Sequence, residues 1–459
     1  MKRLKYFSII ALFYNFAFSQ TFEKLFNGTG YQMSMIEAFD STFLVAYHAP
    51  DNQFFTTLMT LNTSGDSLRS VFYSNGFISI DNIIKSKDQN YLTVGRGFYS
   101  DLRISKLDIN LDTIWVKVLP TFIPFYHPKI LEFQDSSLLI VYVYDSGNQN
   151  NGIYKGLSKV VHTDKNGNVL WILDQGETNI WQDSNCAAND SFVYSAINLG
   201  VLIEDSILQL SCINPNSGNF EWQREYIESS GNPSHPIRNS ASSVALKDSN
   251  IYLAGTTVDT SNIRHQLLMK FDLLGNLIWK KTFNEGSFSK ILIANSNKLV
   301  CVGTAFDTIT LSSYNRDGQE IWRHNFRNGL VNYINNFIID YDSGFAFVAE
   351  SRDSLIKMYV VKTDSAGNVN STSAINEIAE DAITINCIYK SKTLITYLNT
   401  RYKGKVNLAL YDLQGRLLLE REINSGINSL EIDQFKLNEY IAVFYHNSEF
   451  IKSYKFVNN

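Results

Sequence analysis

The chain carries seven histidines, His48, His127, His162, His235, His265, His324 and His446, and none stands in an H-x-x-x-H or H-x-H spacing that would converge on a metal ion. Its four cysteines, Cys186, Cys212, Cys301 and Cys387, lack the C-x-x-C spacing of a metal or redox pair, so buried free thiols are expected. The stretch DKNGN from Asp164 sets oxygen ligands at alternate positions, but the later bidentate glutamate of a calcium loop is missing. Neither G-x-S-x-G nor a phosphate-binding loop occurs, and no cofactor is expected. Carboxylates are plentiful, and the acid/base pair of a glycoside hydrolase has no fixed spacing. A polysaccharide-acting enzyme therefore stands as the alternative to a non-catalytic binding module.

Binding residues concentrate on long connections held by a rigid scaffold. Four connections read as long: 120–129, 144–154, 174–185 and 227–239. They carry the candidate ligand-binding residues Phe122, Phe125, Tyr126, His127, Glu177, Trp181, Asp183, His235 and Arg238.

The scaffold is a repeat. "FDLLGNLIWKKTF" from Phe271 has weaker copies at Leu61, Leu107, Thr163, Ile213, Tyr314 and Thr363. Each is a turn in which an Asp or Asn side chain bonds backbone N–H groups two residues on, and a glycine takes a positive φ. Trp115, Trp171, Trp222, Trp279 and Trp322 then enter the next strand at matching positions. The pattern decays at Arg69, where tryptophan is expected, and at Leu111, where glycine is expected and Asn110 is the neighbour suited to the left-handed position. A second set of Asp/Ser/Asn turns, from Phe39 to Tyr341, keeps step with the first. Two markers with one period predict an all-β, seven-bladed β-propeller of four-stranded antiparallel blades, with an open β-solenoid as the alternative. The unit at 240–283 divides into strands 240–247, 251–258, 266–272 and 277–283. Cys186 and Cys212 then fall on the first and third strands of one blade, too far apart to bond. The seventh copy lacks its last strand, and Phe22, Lys24 and Phe26 match Trp279, Lys281 and Phe283 in register. The segment 22–26 is expected to complete the seventh blade.

Lys2, Arg3 and Lys5 precede an apolar run to about Phe18, and Ala17 and Ser19 form a small-residue cleavage site, which together read as a signal peptide, residues 1–19. Its removal takes away three positive charges and no negative ones, lowering the formal charge of −5 to −8. An acidic chain argues against nucleic acid as a partner. No later run is long enough for a membrane helix, so no transmembrane segment is expected.

The D-x-x-G-N-x-x-W-x-K-T-F pattern with its upstream YLAG resembles the propeller repeats of secreted bacterial proteins, the delta-60 or quinoprotein-like repeats. This resemblance implies a fold and no chemistry. It covers residues 21 to about 370, and the propeller is read as 20–369. A polar linker follows at 370–382, then a small β-sandwich at 383–459 that resembles the C-terminal sorting domain of the type IX secretion system of Bacteroidetes. Its matched residues are Tyr411, Asp412, Gly415 and Arg416 in the Y-D-x-x-G-R turn, Tyr440 in a late aromatic strand, and Lys452 and Lys455 in the closing strand. The family's Y-P-N-P entry is replaced by YKSK from Tyr389. The resemblance implies the secretion machinery as a partner, with a secreted or cell-surface destination. Short Asp-Ser/Thr-apolar stretches, such as those at Asp66 and Asp112, resemble the O-glycosylation acceptors of that phylum.

Overall fold

The computed structural model describes residues 20–26, 33–48, 56–73, 77–97, 101–119, 125–150, 153–179, 185–199, 207–228, 237–305, 308–327, 331–352, 356–369, 376–377, 383–390, 393–400, 406–412, 416–424, 426–431, 439–446 and 449–457, and none of these is helical. The chain divides into two compact units, 1–375 and 376–459.

Among the described residues the first unit holds seven four-stranded antiparallel sheets. Six are meanders in chain order, at 34–73, 77–118, 125–179, 185–226, 238–285 and 287–327. Between the third and fourth, a single residue pair, Thr178 with Leu199, continues the hydrogen bonding. Strands in each sheet are lettered a to d from the inner edge outward. Strands b and c of the fifth sheet, Asn250–Val258 and Arg264–Asp272, are buried almost throughout because neighbouring sheets cover both faces. Strand d, Leu277–Glu285, is the outer edge and stays largely exposed.

The turn into strand d is built as its sequence predicts. Asp272 Oδ1 accepts the N–H groups of Leu274 at 2.9 Å and Asn276 at 2.8 Å. The glycines at this position, Gly65, Gly167, Gly218, Gly275, Gly318 and Gly367, take φ between 71° and 83°. In the second sheet it is Leu111, not the expected Asn110, that stands in the left-handed region, at φ 72°. The turn fixes the geometry by position, and the leucine accepts that strain because its side chain is buried with Leu107, Tyr91 and Val71.

Each turn glycine receives the aromatic ring of the preceding sheet. A Cβ added to Gly275 would lie 2.8 Å from Trp222, and one on Gly218 would lie 2.7 Å from Trp171. Trp115, Trp279 and Trp322 meet Gly167, Gly318 and Gly367 in the same way. Trp171 Nε1 also donates to the Pro215 carbonyl at 2.8 Å, inside the turn that it covers. Arg69 and Leu111 are the two partners of one joint, between the first and second sheets, so the missing tryptophan and the missing glycine are a single departure.

The seventh sheet takes Val331–Ile339, Phe345–Arg352 and Ile356–Thr363 from the end of the ring, and its fourth strand is β1 (Phe22–Phe26). Phe22 pairs with Lys362 and Phe26 with Met358. Trp279 pairs with Lys270 in the fifth sheet, so Phe22 occupies the tryptophan position, as expected. Its ring covers Gly65 of the first sheet and packs edge-on against Phe43, with centroids 5.9 Å apart. Seven apolar clusters lie between successive sheets. The one containing Phe22, Met35, Val45, Val348 and Val360 joins the last sheet to the first and closes the ring.

Beside that seam lies a buried ion cluster. Lys362 Nζ is 2.8 Å from Asp340 Oδ2 and 2.7 Å from Asp342 Oδ2, and both Lys362 and Asp340 side chains are wholly buried. Burial, together with the neighbouring Asp342, raises the Asp340 carboxyl above its ordinary value, and Lys362 opposes the rise only in part. Cys186, Cys212 and Cys301 are free and buried. Cys186 lies opposite Ser195 and Cys212 opposite Tyr194, on strands a and c of the fourth sheet, as the repeat reading requires.

The second unit contains a three-stranded sheet from 383–390, 393–400 and 426–431, and a four-stranded sheet in the order 417–423, 406–411, 439–446 and 449–457. Leu408, Leu410, Ile423, Ala442 and Phe444 are buried in the latter.

Truncating Phe22 to Ala should cost about 3–5 kcal/mol, the range for a large buried aromatic that leaves a cavity, and this is read as a lowered Tm. Asp340 holds its proton in the folded chain at pH values where the unfolded chain has released it, so its contribution to stability falls as pH rises from the ordinary carboxylate range through the raised value. Asp340→Asn, which leaves Lys362 paired with Asp342, should flatten that slope and raise Tm at neutral pH. Lys362→Met leaves two facing carboxylates and should cost about 3–5 kcal/mol there. Thermal melts of the three proteins across acid and neutral pH decide both.

Candidate functional site

The seven strands a surround a cavity of about 430 Å³. Its lining comes from or beside every one of them: Met33, Asp81 and Asn82, Pro128 and Lys129, Asn185, Ser243 to Leu246, Lys290 to Ile293, and Asn335 to Phe337. One position recurs around this wall. Ser34, Asn82, Lys129, Asn185, Ser243, Lys290 and Asn336 all lie opposite a Val or Ala of strand b in their own sheets.

Five of these side chains bond to the neighbouring sheet. Ser34 Oγ accepts the Ile83 N–H at 3.2 Å, and Asn82 Oδ1 accepts the Ile130 N–H at 3.0 Å. Lys129 Nζ donates to the Cys186 carbonyl at 2.8 Å, and Asn185 Nδ2 to the Ala241 carbonyl at 3.3 Å. At the seam Asn336 Nδ2 donates to Ser34 Oγ at 2.9 Å. The inner edge of each sheet carries backbone groups with no fifth strand to pair them, and the belt supplies partners for several of these. The sequence announces it: each strand a contains one polar residue followed by two apolar ones, as in SMI, NII, KIL, NCA, SVA, KIL and NFI. Loop length does not point to this signal.

Just before the belt, five strands a break register, between Ile80 and Asn82, Tyr126 and Lys129, Ala241 and Ser243, Phe288 and Lys290, and Ile334 and Asn336. The bulge pushes a carbonyl toward strand b, where a Cβ on Gly95 would lie 2.0 Å from the Ser79 oxygen and one on Gly255 1.8 Å from the Ser240 oxygen. This contact is the physical content of the glycine in the YLAG motif. Extra residues on such bulges are re-aimed from the pleat. Asp81 and Asn335 are two of them, and both line the cavity. Asp81 is the one acidic residue among the described lining residues, which also include Lys129 and Lys290.

The loop-face candidates divide. Phe122, Trp181, Asp183 and His235 lie outside the described residues. Phe125, Tyr126 and His127 belong to strand a of the third sheet (Phe125–Glu132), with His127 inside its bulge. Glu177 is exposed on strand d of that sheet, opposite Leu157, at the far edge from the cavity. Arg238 opens strand a of the fifth sheet, half-buried, with its Nε lacking a partner. Glu177 is thus not brought together with Arg238.

Two connections expected to be long prove to be largely strand. Strands b and c of the third sheet, Leu138–Asn150 and Ile153–Thr163, stay paired out to Asn150 and Ile153, and strand d runs to Asn179. Cross-strand register continues through the Gly- and Asn-rich sequence that read as a loop.

In the second unit, Asp412 is buried and its Oδ1 accepts the Arg416 N–H at 2.9 Å, while Oδ2 accepts Arg416 Nε at 2.6 Å. This is the side-chain-closed turn of the propeller repeats in another setting. Tyr411 is half-buried at the end of its strand, and Gly415 lies outside the described residues. Tyr440 pairs with Phe456, Lys452 with Phe444 and Lys455 with Ile441 along the last two strands.

Sheet order and the seven intersheet cores define the first unit as a β-propeller. No protein-family model matches the chain, and no curated protein matches it. Among solved structures, the chain is similar to BBS1N in complex with ARL6DN, at 9% identity and a TM-score of 0.48, over 77% of this chain and 99% of that one. It is similar also to the WD40 domain of Neurospora crassa Pan2, at 12% identity and 0.43, over 73% and 89%. The WD40 domain of Toxoplasma gondii coronin matches at 8% identity and 0.44, over 78% and 89%.

Proposed function

We propose that the protein is a secreted or surface-displayed binding module, exported by the type IX secretion machinery through its C-terminal unit and acting without catalysis. The observation that carries the binding reading is the axial cavity, a concave space of ligand size whose lining residues include asparagines, lysines and one aspartate. Phe122, Trp181, Asp183 and His235 remain candidate ligand-binding residues in this reading. The export reading is supported by the basic and apolar N-terminal run, the Y-D-x-x-G-R turn and the closing lysine-bearing strand. In it, residues 1–19 leave at export, 20–369 form the ligand-binding part, 370–382 the linker and 383–459 the sorting domain.

Two experiments test the two halves. A chain lacking 383–459 should accumulate in the periplasm while the intact chain reaches the medium or the cell surface. Unchanged secretion of the shortened chain would remove the sorting role. Presented with arrays of glycans and peptides, the intact protein should retain a ligand and release no new reducing ends or fragments. Turnover of a retained polysaccharide would replace the module with an enzyme.

A further inference from the structure

One position of the repeat changes its chemistry from sheet to sheet. The strand-c residue two places before the turn Asp or Asn pairs across the sheet with the tryptophan position: Lys106 with Trp115, His162 with Trp171, and Lys362 with Phe22. In the second sheet Lys106 bonds Asp88 of the turn between strands a and b, and in the seventh Lys362 lies 2.7 Å from Asp342 of the corresponding turn. The third sheet keeps the carboxylate, as Asp135, but sets a histidine where those lysines stand. A cation that is permanent in two sheets is conditional on pH in the third.

The hydrogen bonds fix the tautomer of that histidine. Ser137 Oγ donates its single hydrogen to Asp135 Oδ1 at 2.6 Å, so His162 Nε2, 2.9 Å from the same hydroxyl oxygen, is the donor to it. Nδ1 is then the bare nitrogen, and it is enclosed without a hydrogen-bond partner. The ring lies between Phe133, with centroids 5.5 Å apart, and Trp171, at 5.3 Å. Trp171 in turn covers Gly218 of the fourth sheet and donates to the Pro215 carbonyl. The turn it covers, 214–219, holds no titratable side chain, and Asp135 is the one charged group acting on the His162 ring among the described residues. Burial pushes the imidazole below its ordinary value, and Asp135 and the Pro215 carbonyl oppose this only in part.

We propose that His162 is an acid-operated release for the joint between the third and fourth sheets. Protonation places a charge at Nδ1, inside the aromatic packing that seats Trp171, and the imidazolium regains water by leaving that packing. Trp171 is the cross-strand partner of His162, so its hold on the Gly218 turn is lost at the same time. As pH falls through the ordinary imidazole range the unfolded chain takes up this proton first, so the stability that neutral His162 contributes is present above that range and lost on the way down to the depressed folded value. Asp340 works in the opposite direction, so mild acid tightens the seam while it loosens this joint. The release goes beyond the binding and export readings and depends on neither.

The test is hydrogen exchange of the intact protein read by mass spectrometry from about pH 7.5 to about pH 5, corrected for the intrinsic exchange rate at each pH. Amides of 169–175 and 213–222 should lose protection at least about ten-fold more than those of 277–283 and 314–322, which build the equivalent joint between the fifth and sixth sheets. His162→Gln, neutral at every pH and checked for folding by its melting curve, should abolish the difference. Asp135→Asn removes the carboxylate that favours the charged ring and should move the loss to lower pH. Equal loss at both joints, no loss at either, or a loss that His162→Gln leaves in place overturns the release. Should His162→Gln fail to fold, the Asp135→Asn protein decides, and an unmoved midpoint overturns the release.

Discussion

The molecule depends on a flat aromatic ring laid on a glycine. A propeller sheet twists and presents both faces to neighbours, so each joint must bury a wedge of uneven width. At the outer, wider end the strand-d tryptophan fills that wedge, and only a residue without a Cβ lets the ring come down onto the next sheet's turn. The positive φ at that turn and the close approach of the ring both call for glycine, which is why Asp-x-x-Gly and Trp travel together. At the inner, narrow end the work is done by hydrogen bonds, with polar side chains of five sheets bonding across to a neighbouring strand a. Apolar clusters fill the space between these two fixtures.

This division explains what could be read from the residues. The outer fixture uses rare residue types at fixed spacing, so sheet number, turn position and even the role of Phe22 were legible before any coordinates. At one turn Leu111 and not Asn110 is left-handed, because the turn imposes that conformation by position, whatever the residue's intrinsic tolerance, and burial compensates the leucine. The inner belt uses Ser, Asn and Lys, common residues whose shared position emerges only when the sheets are superposed by register. The candidate site moved for a related reason. Loop length drew attention to the polar stretch after Tyr144, yet its backbone continues the sheet, because pairing once begun extends through residues of low β-propensity when no turn interrupts it.

The joint between the first and second sheets shows how closely the two halves of the outer fixture are coupled. Without a tryptophan at Arg69, no ring arrives to exclude a side chain, and Leu111 fills the wedge from the other side. One glycine and one tryptophan are exchanged for one leucine and one solvent-facing arginine. A substitution at either partner of another joint meets the opposite situation, since the ring and the turn have been fitted to each other.

The strand β1 bears on the order in which the protein assembles. Six of the seven sheets pair strands that follow one another along the chain, and each can form as soon as its own 40 to 55 residues have emerged. The seventh joins residues 22–26 to residues 358–362, nearly the full length of the ring apart. Closing so long a loop carries a high entropic cost until the intervening sheets have stacked and brought the ends together. Of the ring's strands, the earliest in the chain is thus the last to find its partner, and until it does the stacked sheets are an open arc with one free edge at each end.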